Sequence, residues 1–173
     1  ALAAAGRARH DDNAVRLCDV ALQQSQMVGG QAEDLEATGH LEGNEDDLED
    51  RLDRIHRLKT GCLVRASVEL GAILAGVDAE RRQMFVHFGA TLGLAFQVAD
   101  DILDATAAAE QLGKSPGKDE AAGKLTYVTL YGLDPAQKRL AELEEELVDM
   151  AGDVEGPESE MAALARFVCR RRS

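Results

Sequence analysis

Three carboxylates interrupt an apolar stretch, FQVADDILD at 96–104, where Asp100, Asp101 and Asp104 stand among Phe, Val, Ala, Ile and Leu. On a helix turning about 100° per residue, Gln97 and the three aspartates fall within an arc of about 100°. Aspartate is a mediocre helix former, and like charges four residues apart repel each other. Local rules broken in this way point to a functional site. The usual remedy for converging carboxylates is a bound cation. With no His or Cys among them, hard oxygen ligands favour Mg²⁺ over Zn²⁺. Mg²⁺ takes one or two carboxylates, keeps several waters and shares the oxygens of a substrate phosphate. A solvated acidic helix face is the plainer alternative, and the apolar flanks weigh against it.

Lysines on neighbouring segments suit the other half of a diphosphate site. Lys114 and Lys118 lie in GKSPGKDEAAGKLTY (113–127), and Lys124 is expected to open the helix that follows. Glycines let a backbone approach an anion, and a helix N-terminus adds partial positive charge. The pattern is not a P-loop, because Lys114-Ser115 follows a single Gly and no strand precedes it. Lys59-Thr60-Gly61 places two donors at an interruption of a helix, since Thr and especially Gly disfavour helix interiors. A second DDxxD match, Asp46, Asp47 and Asp50, sits in an acidic connector at a helix start. Its charges meet the helix dipole favourably and have no apolar wall around them, so it reads as solvated charge. His10, His40, His56 and His87 form no pair with ligand spacing and adjoin no nucleophilic Ser or Cys, so a hydrolytic triad has no support.

The elements that must position these residues are helices. Prolines occur only at 116, 135 and 157, and long stretches are rich in Ala, Leu, Glu, Gln and Arg, all good helix formers. The fold class is therefore all-α. Expected helices cover 13–38, with a kink at Gly29-Gly30, 48–74 and 79–106. A loop at 112–123 and a short helix from Lys124 come next. Asp134-Pro135 predicts a helix start, with Asp as N-cap and Pro at the first position, running to about 150. The last helix spans 158–170. The third is apolar over much of its circumference, through Phe85, Val86, Phe88, Leu92, Ala95 and Phe96, and is expected to be buried.

The chain has 173 residues, enough for one domain with a sizeable core. A net charge of −13 and an aromatic share of 3%, with no Trp, exclude nucleic acid as a partner of the surface as a whole. No run approaches a membrane span and no signal peptide is visible. The three cysteines, Cys18, Cys62 and Cys169, lack metal or redox spacing. They are expected as buried reduced thiols, which suits a cytoplasmic location. Residue 1 is Ala, so the chain is expected to be processed, trimmed or part of something longer.

Taken together the motifs resemble, in order, those of the trans-isoprenyl diphosphate synthases, nearest to the short-chain farnesyl diphosphate synthases. MVGGQAEDL (27–35) is similar to the family's kinked Gly-Gly-Gln helix and RIHRLKTG (54–61) to its Lys-Thr-Gly segment. GLAFQVADDILD (93–104) is similar to its second aspartate-rich motif, and GKDEAAGKLTY (117–127) to its Gly-Lys-x-Thr-Tyr element. The resemblance implies a helical bundle of the isoprenoid synthase type, incomplete at the N-terminus, with 1–173 forming the C-terminal portion of a single domain. It also implies a reaction: an allylic diphosphate ionises, isopentenyl diphosphate adds to the carbocation, and a proton is lost. By the same resemblance Asp100, Asp101 and Asp104 form a Mg²⁺ platform, with Asp100 the direct ligand. Lys59, Lys114 and Lys124 hold the allylic diphosphate. Lys59, Thr60 and Gln97 contact the diphosphate and carry the catalytic role of steadying the cation and its deprotonation, and Gln31 lines the cavity. The family's first aspartate-rich motif and its Gly-Lys-x-x-Arg-Pro segment are not in this sequence, so these 173 residues alone are expected to be inactive. The complete protein is expected to make farnesyl diphosphate as a homodimer. Alternatives are a geranylgeranyl product, or a noncatalytic subunit that pairs with a complete synthase. A terpene cyclase is disfavoured by the chain-elongation elements at Lys59-Thr60-Gly61 and Gly123-Lys124.

Overall fold

A computed structural model of the chain describes residues 45–112, 124–156 and 158–171. Every regular element among them is helical. Helix α1 is Glu45–His56, a π-helical turn covers Arg57–Gly61, and α2 is Cys62–Leu74. Helix α3 is Ala79–Leu112, α4 Tyr127–Tyr131, α5 Leu133–Glu155 and α6 Glu160–Arg170. The expected first helix, Cys18, Gln31, Lys114 and Lys118 lie outside the described residues.

The long α3 is the axis of the bundle. Phe88, Leu92, Ala95, Val98 and Ile102 recur every three or four residues, which puts them on one stripe of the helix. They pack against Ala136, Leu143, Leu147 and Ala151 of α5 and Ala162, Ala165, Val168 and Cys169 of α6. Each large apolar side chain buried here contributes roughly 1.5–3 kcal/mol relative to exposure. The helix is therefore not uniformly buried: Ala90, Asp100 and Asp104 reach solvent. A smaller cluster, Leu52 and Ile55 of α1 with Leu125, fastens the segment before α4 onto α1. Cys62 and Cys169 are free and buried, as expected of reduced thiols.

Several helix limits differ from the sequence expectation, each for a local reason. Helix α3 continues past Thr106 to Leu112. The Thr106 hydroxyl donates to the Ile102 carbonyl at 2.9 Å, inside the helix, and the alanines that follow propagate it. Lys124 does not open α4. Thr126 is the N-cap, in a reciprocal capping box with Thr129, and α4 begins at Tyr127. Asp134 is not the cap of α5 either. Gly132, at φ 90°, turns the chain directly from α4 into α5, and its carbonyl accepts from Ala136 N–H at 3.2 Å. Asp134 and Pro135 then occupy the first turn, where a carboxylate meets the dipole and a missing N–H costs nothing. Helix α6 starts two residues later than expected, because Ser159 supplies the capping oxygen, to Ala162 N–H at 3.3 Å.

Candidate active site

The Lys59-Thr60-Gly61 interruption is a widened turn, not a break. The helix from α1 passes through Arg57–Gly61 in π geometry and resumes as α2, the kind of bulge that recurs at functional sites. The Cys62 thiol donates to the Leu58 carbonyl of this turn at 2.9 Å. Glycine is required for more than helix weakness. A Cβ on Gly61 would stand 2.7 Å from the His56 carbonyl oxygen, and one on Gly93 would stand 2.7 Å from Gly61 Cα. The turn therefore lies backbone to backbone on α3. One helical turn beyond Gly93 comes Gln97, which is buried. Lys59 and Thr60 are half-buried in the turn itself.

The three aspartates part company. Asp100 and Asp104 are open, with 52% and 56% of their side-chain surfaces exposed. Asp100 Oδ1 accepts from Arg171 Nη2 at 2.9 Å, and the same nitrogen donates to the Phe96 carbonyl at 3.1 Å. The Arg171 guanidinium also stacks on the Phe96 ring, 4.1 Å from its centroid. Asp104 Oδ2 lies 3.6 Å from Lys124 Nζ. Asp101 points elsewhere, with only 11% of its side chain exposed. Its Oδ2 accepts the Tyr127 backbone N–H at 2.8 Å and stands 3.2 Å from His56 Nε2.

This donor set fits Mg²⁺ in one particular way. Among the described residues no three His, Cys, Asp or Glu side chains converge as a ligand cage. Mg²⁺ does not need one: two exposed carboxylates a helical turn apart, with waters and phosphate oxygens, match its habits. Asp100 and Asp104 are open in this way, whereas Asp101 Oδ2 accepts from the α4 amide and lies beside His56.

Of the expected site residues, the fold brings Lys124 to Asp104 and sets the turn bearing Lys59 and Thr60 against α3 near Gln97. Sequence spacing missed His56 and Arg171. His56 has no ligand partner nearby in sequence, because its partner is a carboxylate 45 residues on, at Asp101. The clue available was that a His and an Asp both sat at apolar-stripe positions, where an unpaired polar group is costly.

The family model for polyprenyl synthetase matches residues 2–159. The chain belongs to the polyprenyl synthetase family. It is 50% identical over 119 residues to the farnesyl diphosphate synthase of Escherichia coli (strain K12), an alignment covering 68% of this chain and 38% of that protein. It is 40% identical over 149 residues to geranylgeranyl pyrophosphate synthase 4 of Arabidopsis thaliana, covering 84% and 39% respectively. The geranyltransferase of Helicobacter pylori, solved in complex with magnesium and isoprenyl diphosphate, has a similar fold, with a TM-score of 0.67 and 27% identity over 91% of this chain and 51% of that one. This polyprenyl synthetase chain thus spans well under half the length of the Escherichia coli and Arabidopsis relatives and about half that of the Helicobacter protein. Among the described residues no helix is long and apolar enough to cross a membrane.

Proposed function

We propose that the full-length protein is a Mg²⁺-dependent prenyltransferase that condenses isopentenyl diphosphate with an allylic diphosphate, and that residues 1–173 are the C-terminal portion of its single synthase domain. The observation that carries this reading is Lys124 standing beside Asp104 on the open face of α3, next to Asp100. Carboxylates and a lysine exposed side by side suit a metal ion and a diphosphate together, and family membership supplies the reaction class. When bound, Mg²⁺ neutralises charge developing on the departing diphosphate. Asp100 and Asp104 would hold it. Lys124 and Lys59 donate to diphosphate oxygens, with Lys114 a further donor, and place positive charge where negative charge grows. Thr60 and Gln97 border the reacting carbons and steady the allylic cation while a proton leaves toward the diphosphate.

Farnesyl diphosphate is the product favoured by the 50% identity to a farnesyl synthase. A geranylgeranyl product is the second reading, favoured by the longer 149-residue match. The deciding experiment incubates the full-length protein with Mg²⁺, labelled isopentenyl diphosphate and an allylic diphosphate, and separates the products by chain length. A Mg²⁺-dependent fifteen-carbon product supports the reading. No condensation under any allylic substrate would overturn it and favour a noncatalytic subunit. Residues 1–173 alone are expected to give no turnover.

A further inference from the structure

Asp101 is a carboxylate that the metal reading does not use, and burying one is expensive unless it is paired. It is paired twice. One partner is the first amide of α4, Tyr127 N–H, and the other is His56. His56 is itself buried, with 4% of its side chain exposed. These contacts tie together the three segments that carry the proposed diphosphate ligands. His56 is the last residue of α1 and lies three residues before Lys59. Tyr127 lies three residues after Lys124. Asp101 lies one helical turn before Asp104.

The surroundings stiffen the same knot. The His56 and Tyr127 rings face each other nearly parallel, with centroids 6.5 Å apart and planes 12° apart. Leu125, next to Lys124, packs on Leu52 and Ile55 of α1. The His56 carbonyl oxygen is the atom that leaves no room for a Cβ on Gly61. The buried His56 Nδ1 has no hydrogen-bond partner, so the ring's polar contact is the one that its Nε2 makes with Asp101. Stability alone does not explain a carboxylate here, because an apolar side chain fills a buried position at no desolvation cost. What an apolar side chain lacks is an acceptor that fixes the start of α4 in register with Asp104.

We propose that His56 and Asp101 are a coupled pair of positioning residues that set the reach of Lys124 and seat the turn bearing Lys59 and Thr60, so that diphosphate affinity depends on them. The inference rests on the synthase reading above. Displacing a ligating group by an ångström is costly to a site built on orientation.

The test is calorimetric titration of inorganic pyrophosphate, with Mg²⁺ present, into the full-length protein. His56→Ala and Asp101→Ala are each expected to weaken binding about tenfold, and the double variant to be no more than about twofold worse than the poorer single. Leu147→Ala, in the core between α3 and α5, is the control: it lowers the melting temperature and leaves pyrophosphate affinity unchanged. His56→Gln, which keeps a donor, should recover part of the lost affinity. Losses that multiply in the double variant, or alanine variants that bind as the unaltered protein does, overturn the coupling. If the alanine variants do not fold, Asp101→Asn and His56→Gln carry the test, and unchanged binding in both overturns it. An unaltered protein that binds no pyrophosphate fails the synthase reading itself, which separates the two outcomes.

Discussion

On the side facing α5 and α6, α3 meets its neighbours through side chains: Phe88, Leu92, Val98 and Ile102 interlock with leucines and alanines of the facing helices. On the side facing the π turn and the start of α4, close backbone approach and one polar side chain join the apolar contacts of Tyr127 and Val128. Two glycines let backbones touch, and one buried carboxylate accepts from an amide and lies against an imidazole. The first side is redundant, since many small dispersion contacts share the load. The second adds contacts of defined geometry, backbone on backbone and a carboxylate on an amide. One helix therefore separates stability from site geometry onto two stripes, and mutations should sort accordingly.

The largest expected effect lies on the first stripe. Phe88→Ala should cost about 3–5 kcal/mol of stability by leaving a cavity, measurable by urea unfolding, while correctly folded molecules keep their pyrophosphate affinity. Asp100→Ala should do the reverse in the complete protein. Turnover is expected to fall about 100- to 1,000-fold, with only about 1 kcal/mol of stability lost, because Asp100 itself is half exposed and the more buried Arg171 keeps the Phe96 carbonyl and ring as partners. Full activity in Asp100→Ala would refute the metal role and break the comparison. Gly93→Ala should move both readouts, costing about 1–3 kcal/mol because backbone faces backbone there, and lowering turnover as the π turn is pushed outward. Thr126→Ala removes the cap of α4 and should cost about 1 kcal/mol. Smallest is a test of the apolar stripe alone. Burial first, and then the charge of Glu144, push the Cys169 thiol up to about 11. The folded state thus holds its proton longer than the unfolded chain, so stability should fall as pH rises from the ordinary thiol range toward 11. Alkylation of Cys169 at pH 8 should correspondingly be slow, and mass spectrometry of peptides after iodoacetamide treatment checks it.

The helical class, the apolar stripe of α3 and the disturbance at Lys59-Thr60-Gly61 were legible in the sequence because all are periodic or compositional signals. The family resemblance was legible as well, and the polyprenyl synthetase match bears it out. What could not be read was anything that depends on a partner far along the chain. Asp101 looked equivalent to Asp100 because both fall in one arc of the helix. Only the arrival of α4, 26 residues later, separates them. His56 has its partner on another segment, so spacing within one segment does not reveal it. The start of α5 was misplaced because Asp134-Pro135 is a strong local signal, and Gly132 at φ 90° overrode it to make a tight corner. Gly61 was read as a helix breaker, whereas its second purpose, contact with Gly93, is a distance between two helices that no single stretch encodes.

That contact has a consequence for how the protein tolerates recombination with its relatives. Where helices meet through interlocking side chains, partners drift together, and a segment moved into a foreign background brings mismatched shapes. Where they meet as bare backbone, the spacing is set by atomic radii and is the same in every background that keeps both glycines. The segment carrying Lys59 and the segment carrying Asp100 and Asp104 should therefore be exchangeable between homologues as modules, with the Gly61–Gly93 seam as their common fitting.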